Sequence, residues 1–309
     1  MRQQAQQIPF VVGAYASMPA DKESQSQYYQ LLGEQSWIAG TELPYPGDLA
    51  DTATRAWLAT TLPKHWHANT VTAIPGTMQH VWKDGTFGLA SPDEQGRNAA
   101  IQWLKTLRDA VEDVAQLRGS DDITAIEIHS APTELADAAA FQRSLEEVCA
   151  WNWSGAQLVI EHCDRYIAEQ KPEKGFLSID QEIAVAQQLG IGITINWGRS
   201  AVEGRDALTP QQHVEAAATA GVLQGLMFSG AGPEETQYGY SWIDGHLPMN
   251  VDEPSSLMDA ERIQACTRIA IDQAEQLQYL GAKICVPKDA TLATRLSFLQ
   301  HIHDAVIAA

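Results

Sequence analysis

Short apolar runs alternate along the chain with longer segments in which apolar residues recur at helical spacing. The short runs are bounded by Gly, Pro and Asn, as expected of strands that are buried on both faces of a parallel sheet. They predict eight strands, at Ile8–Ala14, Trp37–Pro44, Asn69–Ile74, Ile123–His129, Gln157–His162, Ile191–Asn196, Val222–Ser229 and Ala282–Val286.

The longer segments repeat their apolar positions with a period close to 3.6 residues, which predicts helices that cover the strands. Two of them carry start signals: Ser178 precedes Gln181 by three residues, and Thr209 is followed by Pro210. The predicted helices are Asp21–Gly33, Asp48–Leu62, Gly96–Arg118, Ala136–Trp151, Ser178–Leu189, Thr209–Ala220, Ala260–Leu280 and Thr291–Ile307.

Eight strand–helix units in 309 residues predict an α/β fold, a single (β/α)8 TIM barrel that spans residues 1–309 as one domain. The alternative is an open, doubly wound sheet, but no Gly-rich phosphate loop follows the first strand. Long polar segments follow four strands, where catalytic loops of such barrels gather. These predicted loops are Pro75–Pro92, His162–Gly175, Trp197–Leu208 and Gly230–Pro254.

The charge of the chain argues against two classes of partner. There are 39 acidic and 20 basic residues, a formal charge of -19, which disfavours nucleic acid and anionic membrane surfaces. No apolar stretch approaches the ~20 residues of a membrane span, and the N-terminus has no signal-peptide pattern. We therefore expect a cytoplasmic protein, and barrels of this kind often form homo-oligomers.

The alternation of side chains along a strand indicates which charged residues point into the barrel. Glu127 and His129 share one face of their strand, and Glu161 lies on the opposite face from His162. Helices cover the outside of a barrel, so we expect Glu127, His129 and Glu161 to point inward near the mouth. A carboxylate that ends an apolar strand needs a partner or a function, and we predict an acid/base role for Glu161.

Other polar residues follow the predicted strands and are candidates for substrate binding. Glu42 ends the second strand and is a second acid/base candidate, as is His129. Asn196 and Arg199 open the segment NWGRSAVEGR, and the planar fork of an Arg suits a carboxylate or sugar hydroxyls. His162 and Asp164 could orient a neighbouring group, although internal salt bridges would explain such residues equally well.

The long seventh loop contains Trp242, Asp244 and His246, an aromatic side chain beside polar donors, as in sugar-binding surfaces. An ordinary packed loop is the alternative interpretation. Lys283 lies near the start of the predicted last strand. This predicts that it lies at the N-terminal end of the barrel, called the stability face because the active site lies at the other end. His65 and His67 resemble a metal pair but precede the third strand, at the wrong end of the barrel.

The segments LVIEHCD and ITINWGRS, with GTELPYPG and KGF, resemble the xylose isomerase-like TIM barrels, and within them an uncharacterised bacterial branch. The resemblance in architecture extends over the whole chain, whereas only a few residues match the sequence motifs of the family. It implies a sugar isomerase, epimerase or related enzyme, in which Glu161 matches the glutamate of the fifth-strand motif. Asn196 and Arg199 fall on the sixth-strand Asp and His positions.

The departures from the family pattern concern the metal site. Asn196 and Arg199 replace an Asp and a His, the seventh strand ends in MFSG without a His, and the eighth reads KICVPKD without a Glu. Neutral Asn and cationic Arg are poor ligands for a divalent ion. We therefore expect no cofactor; a divalent metal stays an alternative whose usual ligands are mostly missing, and Arg199 would supply a fixed positive charge in its place.

These observations favour an isomerase- or epimerase-like enzyme that acts on a small polar carbohydrate or sugar acid. Glu161 would exchange protons with the substrate, Glu42 or His129 would be the second acid/base group, and Asn196 and Arg199 would hold the substrate, with Glu127 nearby. Two alternatives remain: a metal-independent glycoside hydrolase or lyase, and a barrel that binds carbohydrate without catalysis.

Overall fold

A computed structural model describes residues 5–309 and contains eight parallel strands that close into a barrel in sequence order. The strands are β1 (Phe10–Val12), β2 (Gly40–Pro44), β3 (Asn69–Thr72), β4 (Ile123–Ile128), β5 (Gln157–His162), β6 (Gly192–Asn196), β7 (Leu223–Phe228) and β8 (Tyr279–Ala282). The predicted TIM-barrel fold is confirmed. Residues 1–4, which the predicted domain includes, lie outside the described part of the chain.

Helices connect the strands and surround the barrel. They are α1 (Lys22–Gly33), α2 (Thr52–Thr61), α3 (Ile74–Val81), α4 (Glu94–Arg118), α5 (Ala138–Val148), α6 (Ile179–Leu189), α7 (Trp197–Gly204), α8 (Thr209–Thr219), α9 (Ala260–Gln273) and α10 (Leu292–Ile307). Short 3₁₀ helices lie at Ala14–Ser17 and Gly47–Leu49. Within residues 5–309, no helix combines the length and apolar character needed to cross a membrane.

The two predicted helix starts have different outcomes. Ser178 caps α6 with a complete capping box, in which Ser178 and Gln181 each accept a hydrogen bond from the other's backbone N–H. Thr209, by contrast, is itself the first residue of α8. The cap is the Asp206 carboxylate, which accepts the backbone N–H groups of Leu208 and Thr209 at 2.7 and 2.8 Å.

The barrel interior has an apolar layer with a polar layer above it. The apolar layer consists of Val11, Ala125, Val159, Met227 and Tyr279. Two residues further along their strands, Glu127 and Glu161 lie above Ala125 and Val159, toward the C-terminal mouth. The predicted alternation is confirmed: the neighbouring Ile126 and Ile160 belong to the larger core, which includes apolar residues of the helices.

The last strand lies earlier in the chain than predicted. β8 begins at Tyr279, inside the predicted helix, and ends at Ala282, where the predicted strand begins. It pairs with β1 and β7, and a Cβ at Gly281 would lie 2.4 Å from the Val11 carbonyl oxygen, so only glycine fits at this level. The apolar run continues on both sides of Lys283, so hydrophobicity alone did not locate the strand. As a result Lys283 follows β8 directly and lies at the mouth.

Two predicted loops contain helices. The segment 75–92 includes most of α3, and the segment 197–208 begins with α7. Asn196 is the N-cap of α7: it ends β6, and its side chain accepts the backbone N–H of Arg199. The apparently polar strand-end motif NWGR is therefore a direct strand-to-helix junction, which fixes Arg199 on a rigid element.

We expect Gly225→Ala to destabilise the barrel. A Cβ at Gly225 would lie 2.4 Å from the ring of Tyr279 and 2.7 Å from Oγ1 of Thr194, both inside the barrel. Overpacking of this kind lowers the free energy of unfolding by about 1–3 kcal/mol, measurable by urea denaturation. Gly85→Ala is the control, since nothing lies within 4 Å of the position that its Cβ would occupy. Equal stability of the two variants would contradict the packing argument.

Candidate active site

Three charged side chains meet in the mouth of the barrel from three separate strands. Glu42 lies in β2, Glu161 in β5, and Lys283 directly after β8. The Lys283 Nζ lies 3.0 Å from both carboxylate oxygens of Glu42 and 3.3 Å from Oε1 of Glu161, and none of these side chains is exposed. Lys283 thus bridges two buried carboxylates, so its assignment to the stability face was wrong.

The junction of β6 and α7 brings Arg199 and Asn196 to the same carboxylate. Arg199 Nη1 lies 2.6 Å from Oε1 of Glu161, and Asn196 Nδ2 donates a 3.5 Å hydrogen bond to that oxygen. The hydroxyl of Ser229, after β7, donates to Asn196 Oδ1 at 2.7 Å. Ser229 therefore orients the Asn196 amide so that its nitrogen faces Glu161.

The segment after β7 adds another carboxylate, Asp244, to the site. Asp244 Oδ2 lies 3.0 Å from Lys174 Nζ and 3.1 Å from Arg199 Nε. His246 Nδ1 lies 3.5 Å from the other Asp244 oxygen, and burial lowers the pKa of His246 to about 3. The structure therefore brings Asp244 and His246 to the predicted site, together with Lys174.

These groups form a row in which the sign of the charge alternates, which we call the mouth charge row. Its members in order are Lys174, Asp244, Arg199, Glu161, Lys283 and Glu42. Their side chains are at most 12% exposed. Because a buried charge is tolerated only when it is paired, each member depends on its neighbours in the row.

The row controls the protonation of its central carboxylate. Burial alone would raise the pKa of Glu161, but the positive charges of Arg199 and Lys283 outweigh it and hold the pKa well below its usual range. The same balance applies to Asp244, where Lys174 and Arg199 overcome burial and keep its pKa well below its usual range. Both groups are therefore ionised at neutral pH.

His129 is a neutral imidazole that is hydrogen-bonded to Glu161. Its Nε2 lies 2.8 Å from Oε2 of Glu161, and Thr72 donates to the same oxygen at 3.0 Å. Burial lowers the pKa of His129 to about 4 despite that carboxylate. Since an ionised carboxylate only accepts, Nε2 carries the proton. His129 Nδ1 consequently has a lone pair, and it has no hydrogen-bond partner within the described part of the chain.

Glu127 lies in surroundings that favour its protonated form. Burial, together with the negative charges of Glu161 and Glu42, raises the pKa of Glu127 well above its usual value. The hydroxyl of Tyr279 donates to Glu127 Oε1 at 2.8 Å, and the Tyr279 oxygen lies 2.5 Å from Oγ1 of Thr194. The mouth therefore favours the protonated form of Glu127 and the ionised form of Glu161.

Three predicted binding residues have other contacts. His162 points to the outside of the barrel, where its Nδ1 lies 2.7 Å from Glu182. Asp164 accepts the backbone N–H groups of residues 173–175, and so shapes the loop that presents Lys174. Trp242 lies against Arg205, whose guanidinium is 5.5 Å from the ring centroid. The structure supports no direct binding role for His162 and Asp164 in the mouth.

Sequence reasoning missed Lys283, Lys174 and Tyr279 as members of the site. The available signal for Lys283 was a lysine inside an otherwise apolar run, since a lysine that is buried must meet a carboxylate. Tyr279 was hidden because the predicted helix extended over it. Lys174 has no local signal, because its contact with Asp244 joins loops that are 70 residues apart.

A divalent metal ion, which the fold would suggest, does not fit the mouth. Oxygens of Glu42, Glu127 and Glu161 lie within 4.8 Å of one another, which is a possible ligand set. However, Lys283 Nζ already lies within 3.3 Å of two of these carboxylates, and Arg199 lies against one of them. An ion there would be held beside two cations, and Glu127 would have to lose its proton.

Comparison with known proteins gives a family and a fold. Residues 11–298 match the model of a family described as Domain of unknown function (DUF4862). A protein of Salmonella typhimurium strain LT2, described as uncharacterized protein STM3670, is 33% identical over 301 residues, with 94% of each chain covered.

Solved structures with the same fold are distant in sequence. D-psicose 3-epimerase is 14% identical, with 97% of this chain and 96% of that chain covered and a TM-score of 0.56. A xylose isomerase-like TIM barrel protein from Mycobacterium smegmatis is 10% identical (98% and 99% covered, TM-score 0.56). Endonuclease IV from Thermus thermophilus is 10% identical (97% and 100% covered, TM-score 0.53). At these identities the likeness establishes the xylose isomerase-like fold alone.

We expect Lys283→Met to destabilise the protein strongly at neutral pH. The change leaves Glu42 and Glu161 facing each other without the bridging cation, and breaking a buried ion pair in this way lowers the free energy of unfolding by about 3–5 kcal/mol. Urea denaturation measures the loss, with exposed Lys288→Met as the control. A loss below about 1 kcal/mol would contradict the bridging role.

We expect Glu127→Gln to change how stability depends on pH. A carboxyl group with a raised pKa in the folded state stabilises it below the unfolded pKa, about 4.3, and this contribution is lost as the pH rises. Glutamine has no such loss. The melting temperature of the variant should therefore gain on that of the wild type between about pH 5 and pH 8.

The matched control for this comparison is Glu275→Gln, an exposed glutamate before β8. Its difference from the wild type should stay constant over the same pH interval. A constant difference for Glu127→Gln as well would show that Glu127 is ionised in the folded protein.

Proposed function

The chain belongs to the family described as Domain of unknown function (DUF4862), and on that premise we propose that it is an isomerase- or epimerase-type enzyme acting on a small polar carbohydrate or sugar acid. The observation that carries the proposal is the mouth charge row. It sets fixed cations against an ionised Glu161, and Glu127, whose pKa is raised, lies in the same buried site.

Arg199 and Lys283 supply the positive charge that this chemistry needs. Moving a proton next to a carbonyl group passes through an enediolate, and donors that are fixed in advance stabilise its oxygen. Both cations lie within 3.3 Å of Glu161 and are buried, where an electrostatic interaction is stronger than in water. We assign them to the carbonyl and neighbouring hydroxyl oxygens of the substrate.

Glu161 is the proposed base. In the unliganded chain Arg199 and Lys283 hold its pKa low, which makes it a weak base. When substrate oxygens accept hydrogen bonds from Arg199 and Lys283, these two cations stabilise the Glu161 carboxylate less strongly. The pKa of Glu161 then rises toward its ordinary value, so that substrate binding itself activates the base.

Glu127 and His129 complete the proton transfers. The raised pKa of Glu127 favours its protonated form, which can deliver a proton, whereas His129 has a free Nδ1 lone pair and can receive one. Groups whose pKa values are displaced in opposite directions are suited to the acid and base roles. Glu42, the other predicted acid/base group, instead holds Lys283 in place.

The segment between β7 and α9 contributes to the closure of the mouth, and its movement would admit a substrate. Asp244 and His246 belong to this segment, which is attached to the strand end by paired backbone hydrogen bonds between Gly230 and Leu247. The side chains of Glu161 and Lys283 have no exposed surface while it is in place. Catalysis behind such a cover would exclude water from the enediolate.

The observations favour this chemistry over the hydrolase alternative. Glycosidases separate their two carboxyl groups by about 5–5.5 Å or about 6.5–9.5 Å to accommodate the scissile bond. Here the Lys283 ammonium contacts both Glu42 and Glu161 and so occupies the space between them that a scissile bond would need. The formal charge of -19 supports a small molecule rather than nucleic acid as the substrate.

Proton exchange with solvent tests the proposal. The protein is incubated in D2O with EDTA and a panel of aldoses, ketoses and sugar acids, and ¹H NMR follows loss of the C–H signal next to the carbonyl group. We expect exchange or isomerisation of at least one compound, and a rate at least about 100-fold lower for Glu161→Gln. EDTA should have no effect on the rate.

Glu275→Gln, on the opposite face of the barrel, should match the wild type. Retained exchange in Glu161→Gln would refute its role as the base. Compounds that raise the melting temperature without exchanging a proton would identify a binding barrel instead of an enzyme.

A further inference from the structure

A second cluster of potential ligands lies outside the barrel wall, separate from the mouth charge row. It consists of His162 on the outward face of β5, Glu203 in α7 and His213 in α8, which we call the outer cluster. His162 is fully buried, and Glu203 and His213 are each 6% exposed. The three residues therefore come from three adjacent elements and meet at one partly closed point.

The two imidazoles are oriented so that their Nε2 atoms face the Glu203 carboxylate. Nε2 of His162 lies 3.3 Å from Oε2 of Glu203, and Nε2 of His213 lies 3.5 Å from Oε1. His162 Nε2 has no hydrogen-bond partner within the described residues, although its side chain is fully buried. A buried ring nitrogen that faces a carboxylate at 3.3 Å without an aligned hydrogen bond is a position that a further ligand can occupy.

The outer nitrogen of each ring is held in the way that metal-binding histidines are usually held. His162 Nδ1 lies 2.7 Å from Glu182, which also accepts from Ser130 at 2.5 Å. His213 Nδ1 lies 3.0 Å from the hydroxyl of Ser200. A histidine that binds a metal commonly donates its second ring N–H to a carboxylate or another acceptor, which turns the remaining lone pair toward the metal.

The distances suit a small transition-metal ion. Zn²⁺ binds imidazole nitrogen and carboxylate oxygen at about 2.0–2.2 Å in tetrahedral geometry, which places neighbouring ligand atoms about 3.4 Å apart. The two nitrogen–oxygen distances in the outer cluster, 3.3 Å to Oε2 and 3.5 Å to Oε1 of Glu203, are close to that spacing, and one ligand atom from each residue lies within 4.8 Å of the others. Two imidazoles and one carboxylate are a ligand set for Zn²⁺ and related ions rather than for Mg²⁺ or Ca²⁺.

Arg165 holds the Glu203 carboxylate in position, and Glu203 borders a groove that opens to the surface. The backbone N–H and Nε of Arg165 donate to its two oxygens at 2.8 and 3.2 Å, which leaves each oxygen another lone pair. Glu203 and His213 line a surface groove of about 520 Å³ that is also bordered by Asp180 and Gln212. The groove gives an ion access and leaves room for a further ligand.

We propose that His162, Glu203 and His213 bind one divalent transition-metal ion of the Zn²⁺ class, with a coordination position open to the groove. This site is independent of the chemistry proposed for the mouth. The ion would tie β5 to α7 and α8, and β5 and α7 also carry Glu161 and Arg199 on their other faces. It would replace the proton that otherwise lets His162 pair with Glu182 and Glu203.

Metal titration of the tag-free, EDTA-treated and dialysed chain tests the site. We expect one Zn²⁺ per chain by calorimetry, visible Co²⁺ absorption bands of a four- or five-coordinate site, and a higher melting temperature with Zn²⁺. Glu203→Gln and His213→Gln should each weaken Zn²⁺ binding at least about 10-fold. Circular dichroism confirms that each variant is folded, and the partly exposed His213 is the safer substitution.

Two controls separate this site from other histidines and from the mouth. His65→Gln, at an exposed position, and Glu42→Gln, in the mouth charge row, should bind Zn²⁺ like the wild type. No stoichiometric uptake by the folded wild type would overturn the proposal and leave His162 as an imidazolium between two carboxylates. Unchanged affinity in His213→Gln, or loss of binding in a Glu42→Gln variant that circular dichroism shows to be folded, would overturn it equally.

Discussion

The contact of Lys283 with Glu42 and Glu161 is the interaction on which the rest of the mouth depends. Each of these charges is removed from water, so none is stable there without the others. Because the three residues belong to strands on different sides of the barrel, their pairing also fixes the separation of those strands at the mouth. Arg199, Asp244 and Lys174 extend the same arrangement to α7 and to the loops. The site and the closure of the barrel are thus stabilised together.

The sequence predicted the barrel and part of its site because both depend on local periodicity. Alternation along a strand was enough to place Glu127, His129 and Glu161 inside the barrel. The position of Arg199 just after a predicted strand was enough to make it a candidate for the same site. It could not place Lys283, because the apolar run around β8 is longer than the strand and pairing with β1 selects the register. Contacts between distant loops, such as Lys174 with Asp244, leave no local pattern at all.

Adjacent residues of β5 serve opposite sides of the wall. Glu161 points inward to Arg199 and Lys283, while His162 points outward to Glu182 and Glu203. The segment IEHCD is therefore one motif in the sequence but belongs to two clusters in the fold. α7 behaves in the same way, since it contributes Arg199 to the mouth and Glu203 to the outer cluster. The period of each element determines this division.

Burial of the cations in the mouth also shapes the field around the molecule. Lys174, Arg199 and Lys283 are among only 20 basic residues, and each is neutralised by a carboxylate at close range. The 39 acidic residues therefore dominate the potential at a distance. At physiological ionic strength salt screens this potential beyond about 8–10 Å, so a sugar acid is repelled once it comes within that distance, whereas a neutral sugar diffuses in unhindered. The rate of diffusional encounter, rather than the affinity of the pocket, would then favour uncharged substrates.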